Sequence, residues 1–203
     1  MTTLKRKGTA MNRTAKIERN TKETQISLTL ALDGGANSID TGIGFFDHML
    51  EAFAVHSGFS LSLKVNGDLH VDPHHTVEDT GIALGQALYA ALGDKTGIRR
   101  FGQSAVPMDE SLCESVVDIC NRPFLVLNAD FRNEKIGELD TCLVREFMYA
   151  LCFNAKITAH INLRYGDNDH HKCEAVFKSF ARALSEAVQR TGKSEVLSSK
   201  GVL

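Results

Sequence analysis

No apolar run in the 203-residue sequence approaches the ~18 residues needed to span a bilayer, and the first residues lack the apolar core of a secretory signal. Basic surplus is missing too. A formal net charge of −2 and a pI near 6.4 argue against a dedicated nucleic-acid binder. The five cysteines show no CxxC spacing, which removes a paired-thiolate zinc site and reads as packing or surface thiols in a reducing cytosol. The stretch "GIGF" lacks the third glycine and the strand-then-helix setting of a dinucleotide fingerprint. Apolar periodicity is absent from "MTTLKRKGTAMNRTAKIERN", so residues 1–20 read as a flexible polar arm. Glu18 and Glu23 interrupt the acid-free composition of a transit peptide.

What is present is an ordinary globular content, 43% apolar, in a pattern that occurs twice. "TQISLTLAL" alternates, with Ile26, Leu28, Leu30 and Leu32 on one side, and "NSID" fits a short second strand. "GFFDHMLEAFAVHSG" places Phe46, Met49, Leu50 and Phe53 at helical spacing, with Gly58 as the stop. "FSLSLKV" alternates again, and "TVEDTGIALGQALYAALG" returns to helical period. The second half repeats that order of strand, strand, helix, strand, helix, through "SLCESVVDI", "FLVLNADF", "CLVREFMYALCF", "KITAHINLRY" and "CEAVFKSFARALSEAVQR". The fold class is α+β with two duplicated halves, residues 21–104 and 105–203, in one compact domain.

The repeat also carries chemistry. "DPHHTVEDTGIALGQAL" aligns with "NDHHKCEAVFKSFARAL", each holding His-His-x-x-Glu, at an offset of 170 − 74 = 174 − 78 = 96 residues. At a helix start neighbouring side chains diverge by about 100°. His74 and Glu78 therefore share a face while His75 points elsewhere, and His170, Glu174 and His171 repeat the arrangement. One ion cannot take both adjacent imidazoles from a regular helix; two ions can. Mixed imidazole and carboxylate donors suit Mn, Fe or Zn better than Ca or Mg, and with few thiols Mn2+ is the expected metal. Asp79 reads as a carboxylate answering the helix dipole.

The motifs "GFFDHML", "GDLHVDPHHTVEDTGIALG", "GIRRFG", "NDHHKCEAVFKSFARAL" and "SSKGVL" closely resemble the imidazoleglycerol-phosphate dehydratase family, from about "TKET" to the C-terminus. The resemblance implies two βαβ-rich halves, each a four-stranded sheet with two helices on one face. It implies a cytoplasmic 24-subunit cage with active sites between subunits and two Mn2+ ions per active site. The implied substrate is a small imidazole sugar phosphate, dehydrated to a ketone in histidine biosynthesis, with the ions holding the ring as imidazolate. The implied ligands are His48, His74, His75, Glu78, His170, His171 and Glu174, with Glu146 standing where many members have histidine. Glu23 and His56 become the candidate bases. Arg100, Arg122, Lys178, Ser198, Ser199 and Lys200 match the family's phosphate-binding set. Two other function classes stay open: a binuclear metallohydrolase, and a non-catalytic assembly protein stapled by metal.

Overall fold

The computed structural model describes residues 13–201. Its first half runs β1 (Thr14–Asn20), β2 (Thr24–Ala31), β3 (Ser38–Asp40), α1 (Gly44–Ser57), β4 (Ser60–Gly67) and α2 (His74–Leu92). The second runs β5 (Phe101–Met108), β6 (Ser111–Asp118), β7 (Phe124–Asn128), the small β8 (Lys135–Ile136) and β9 (Leu139–Asp140) hairpin, α3 (Leu143–Ala155), β10 (Thr158–Tyr165) and α4 (Asp169–Ala187).

The duplication is visible in topology. One sheet has the order β1-β2-β4-β3 and the other β5-β6-β10-β7. In each, the first three strands pair antiparallel and the last pair, β4 with β3 or β10 with β7, is parallel. A shared order with the same parallel pair in the same place is the structural form of the repeat at offset 96. The fold is α+β.

Alternation in β2 buries Ile26, Leu28 and Leu30 toward the helices, and Leu32 just past the strand continues the row. The α1 stripe Phe46, Met49, Leu50 and Phe53 is fully buried, and Gly58 ends that helix in the left-handed conformation that glycine adopts without steric cost. Each half packs its helices on its own sheet, and the helices of the two halves then pack on each other, α2 against α3 and α1 against α4. One continuous core results. Four of the five cysteines are buried, three of them in that core, and burial pushes the Cys113 and Cys152 thiols up to about 11 and about 12, as inert packing groups.

Two features differ from expectation. Thr14–Asn20, assigned to the arm, forms the edge strand β1, while residues 1–12 lie outside the described part of the chain. The boundary between 104 and 105 falls inside β5, which begins the second sheet at Phe101. Both missed elements are edge strands at the same place in their halves. An edge strand needs little apolar alternation, since one flank and one face meet solvent, and β1 buries only Ala15, Ile17 and Arg19 by half.

The α2–α3 contact depends on two glycines one turn apart. A Cβ on Gly81 would lie 2.7 Å from the Phe147 carbonyl oxygen, and one on Gly85 would lie 2.5 Å from that of Leu151. Backbone on α3 cannot yield at such distances. Gly85→Ala is therefore expected to destabilise the fold by about 1–3 kcal/mol through overpacking. Urea denaturation checks this, and an unchanged midpoint would contradict the close-packing account.

Candidate active site

α2 and α4 begin in the same way. The Asp72 carboxylate accepts the backbone N–H of His74 (2.7 Å), and 168 − 72 = 96 residues later the Asn168 side-chain oxygen accepts that of His170 (2.9 Å). These caps satisfy N–H groups that have no partner within the helix. Each histidine pair is thus presented from a fixed first turn, and its rings diverge. His74 and His75 have centroids 6.0 Å apart with planes at 86°, and His170 and His171 are 6.0 Å apart at 83°. The first histidine of each pair faces its own glutamate, with Nε2 to carboxylate distances of 3.5 Å for His74–Glu78 and 3.4 Å for His170–Glu174.

The second histidine of each pair turns away and is gripped by a carboxylate. His75 Nδ1 lies 3.0 and 3.2 Å from the two Asp68 oxygens, and His171 Nδ1 lies 2.7 Å from Glu110. A carboxylate accepting from Nδ1–H leaves the lone pair on Nε2 and raises its basicity. The same hydrogen bonds hold both imidazoles above their ordinary pKa. Glu110 is held well below the usual carboxylate range by the Asn168 backbone N–H and then by the His171 ring. Asp68 and Glu110 escaped sequence reasoning. Asp68 stands seven residues before its histidine in the same motif, which is a usable signal; Glu110 is 61 residues away and leaves none.

Packing of α1 on α4 completes one three-donor group. His48 from the first half meets His170 and Glu174 from the second, with all three donor atoms within 4.8 Å of one another. Phe45 stacks edge-on against His170 at 5.0 Å, fixing that ring. Glu174 is buried; burial raises its pKa, but Lys178 at 2.5 Å and the facing His48 and His170 outweigh this and lower it overall. A charged carboxylate beside two imidazoles, with no thiolate, is a donor set that fits a divalent ion such as Mn, Fe or Zn.

Glu146 is not gathered in this way. It sits half-buried on α3 beside a hollow of about 290 Å³ lined by Asp130, Phe131, Cys142 and Arg145, and among the described residues it joins no three-donor group. Among the described residues, His74 and Glu78 face each other without a third donor, and His75 and His171 point their Nε2 atoms elsewhere.

The candidate bases separate. Glu23, exposed on the turn between β1 and β2, places Oε1 3.9 Å from His75 Nε2, and the Asp68 N–H donates to its backbone carbonyl (3.1 Å). His56 lies two turns beyond His48 on α1, in a polar pocket of about 260 Å³ with Arg99, Arg182 and Glu186. Partial burial, then the charges of Lys178 and Arg182, hold its imidazole below the ordinary pKa. The second half offers its own hairpin acid, as Asp109 Oδ2 lies 3.8 Å from His171 Nε2.

The proposed anion-binding residues fall into two places. Arg100 forks onto Asp118 (2.7 and 3.2 Å) and donates to the Leu197 carbonyl (2.7 Å), while Arg122 reaches the same Asp118 at 3.6 Å. Ser198 and Ser199 line a cavity of about 590 Å³ with Arg100, and Ser198 Oγ accepts the Lys200 N–H. Lys178 is elsewhere, directed at Glu174 and the Met108 sulfur. Arg99 points away from Arg100, to Glu186.

Fold and donor set define a duplicated α+β protein with an imidazole–carboxylate site suited to divalent cations. Residues 41–184 match the pattern of the family described as imidazoleglycerol-phosphate dehydratase. Proteins of that name from Exiguobacterium sp. and Methanosarcina mazei are each 54% identical to this chain, over 93% and 94% of it and over 97% and 100% of their own length. The crystal structure of the Staphylococcus aureus imidazoleglycerol-phosphate dehydratase is 43% identical and superposes with a TM-score of 0.81, covering 88% of this chain and 99% of that one. The chain belongs to the imidazoleglycerol-phosphate dehydratase family.

Removing the carboxylate that fixes a liganding imidazole typically costs ~10–100-fold in metal affinity. Asp68→Ala and Glu110→Ala are each expected to weaken Mn(II) binding by about that factor, read by titration of the metal-stripped protein. Unchanged affinity in both variants would remove the orienting role.

Proposed function

We propose that the protein is a Mn-dependent dehydratase, a lyase, that converts D-erythro-imidazole glycerol phosphate to imidazole acetol phosphate in histidine biosynthesis. Family membership over nearly the whole chain supports the dehydratase and its biosynthetic role. The observation that carries the chemistry is the repeated pair of helix starts, each offering Nε2 atoms and a carboxylate, and the three-donor group they help build contains no cysteine.

Two divalent ions per active site would be held by His48, His74, His75, Glu78, His170, His171 and Glu174, with Glu146 as an eighth donor. Bound there, they supply Lewis-acid polarisation of the substrate's imidazole ring. The remaining work falls to side chains. The hydroxyl that leaves sits on the carbon attached to the ring, and the proton that leaves is on the next carbon. Glu23 takes that proton, a contribution worth ~10²–10⁴-fold for a positioned base. The hydroxyl departs as water once it takes up a proton equivalent to the one Glu23 removes, and the resulting enol becomes the ketone with its phosphate retained. His56 is the second candidate, since a neutral imidazole can also accept a proton. Arg100, Arg122, Ser198, Ser199 and Lys200 bind the phosphate, whose oxygens replace the Asp118 carboxylate on the Arg100 fork. Lys178 joins them by exchanging Glu174 for a phosphate oxygen.

A single chain gathers three donors in one group, two in another and leaves two imidazoles facing outward. That distribution supports completion of each site by other copies of the chain; the number of copies, 24, and the cytoplasmic location are what the family resemblance implies. Product analysis separates the alternatives: a metallohydrolase releases inorganic phosphate, and a stapled assembly protein forms no product.

Two variants test the assignment. Glu23→Gln is expected to keep metal content and assembly while lowering kcat by about 10²–10⁴-fold. Full activity in that variant would remove Glu23 as the base. His74→Ala or His171→Ala is expected to lower bound Mn and the sedimentation mass together, and unchanged metal stoichiometry would count against the binuclear site.

A further inference from the structure

The aspartate that follows the α2 ligand set does more than answer the helix dipole. Asp79 is buried, and both of its carboxylate oxygens are spoken for. Oδ1 accepts from Arg19 Nη2 at 2.7 Å, and Oδ2 accepts from the Thr24 hydroxyl at 2.5 Å. Arg19 stands near the end of β1 and Thr24 opens β2, so one carboxylate holds the two strands on either side of the turn that carries Glu23.

The turn itself has few other ties to the helix. The Thr21 hydroxyl accepts the backbone N–H groups of Glu23 (3.1 Å) and Thr24 (2.9 Å), which sets the local backbone but not its place over α2. The Asp68 N–H to the Glu23 carbonyl fixes the other flank. Glu23 is an exposed side chain on a hairpin tip, and such tips are the least ordered parts of a sheet unless anchored. The anchor is Asp79, one residue beyond Glu78 and four beyond His75. It links the turn to the same helix start that presents the metal-type donors.

We propose that Asp79, acting through Arg19 and Thr24, is a positioning residue that sets the distance from the Glu23 carboxylate to the His75 side of the site. It touches neither substrate nor reacting atoms. The inference rests on Glu23 being the base, and the two can be tested apart. A misplacement of about 1 Å can cost on the order of 10²-fold in rate without a change in the reacting groups. Salt-bridge partners that act on one group also show non-additive effects when that group is removed.

The test is a double-mutant cycle of Thr24→Val and Glu23→Gln in the assembled, Mn-loaded enzyme. Valine keeps the shape and strand preference of threonine and deletes only the hydroxyl. Thr24→Val is expected to lower kcat by about 10–100-fold with KM and metal content unchanged, and Thr24→Ser is expected to restore most of the loss. In the Glu23→Gln background the same change should alter kcat by less than about twofold. If Glu23→Gln is itself fully active, the base assignment falls and the inference with it. If Glu23→Gln is impaired but Thr24→Val costs the same factor in both backgrounds, the base stands and the positioning role is overturned. An unaffected kcat in Thr24→Val also overturns it. Should Thr24→Val fail to assemble, Arg19→Met on the partly exposed β1 is put through the same cycle, with the same outcomes deciding.

Discussion

Two neighbouring imidazoles at the start of a helix cannot face the same point. Helical geometry separates them by about 100°, and the observed ring planes, at 86° and 83°, express that constraint in both copies. Every other feature of the site answers it. The inward histidine of each pair meets its glutamate one turn on, and the outward histidine needs its own support, which comes from a carboxylate outside the helix. Without Asp68 and Glu110 the outward rings would rotate freely and the lone pair would be shared between two nitrogens.

The halves solve that common problem with different parts. In the first, the orienting carboxylate comes from the loop after β4, and the hairpin acid Glu23 is left facing His75 Nε2. In the second, the hairpin between β5 and β6 supplies the orienting Glu110. Both hairpins set an acid near an outward Nε2, Glu23 at 3.9 Å and Asp109 at 3.8 Å, and they differ in that only the second hairpin also supplies the orienting carboxylate. The helix contact between halves, with His48 reaching His170 and Glu174 across α1 and α4, then ties the two frames into one centre.

Much of this was legible in the chain. The His-His-x-x-Glu repeat, its offset and the divergence of adjacent rings follow from spacing alone, and so did the buried stripes of β2 and α1. The edge strands β1 and β5 were not legible, because half-buried "TAKIERN" and the proline-containing "FGQSAVPM" lack the apolar alternation that marks inner strands. Asp79 read as a carboxylate answering the helix dipole because its partners, Arg19 and Thr24, lie 60 and 55 residues away. Glu110 was hidden for the same reason. Lys178 was expected with the phosphate cations and is found on Glu174, a contact that i to i+4 spacing on α4 allows but does not require. Periodicity reports which face a residue occupies; it does not report which distant loop comes to meet it.

The central claim is that each histidine pair serves two cations through Nε2, while carboxylates keep the outward Nδ1 atoms. Anomalous diffraction at the manganese edge, from crystals of the Mn-loaded assembly, tests it most directly. The account predicts two metal peaks per active site, each bonded to Nε2 of His75 or His171 with Asp68 and Glu110 still on Nδ1. Peaks bonded to Nδ1, or both pairs hydrated with no anomalous signal beside them, would contradict it.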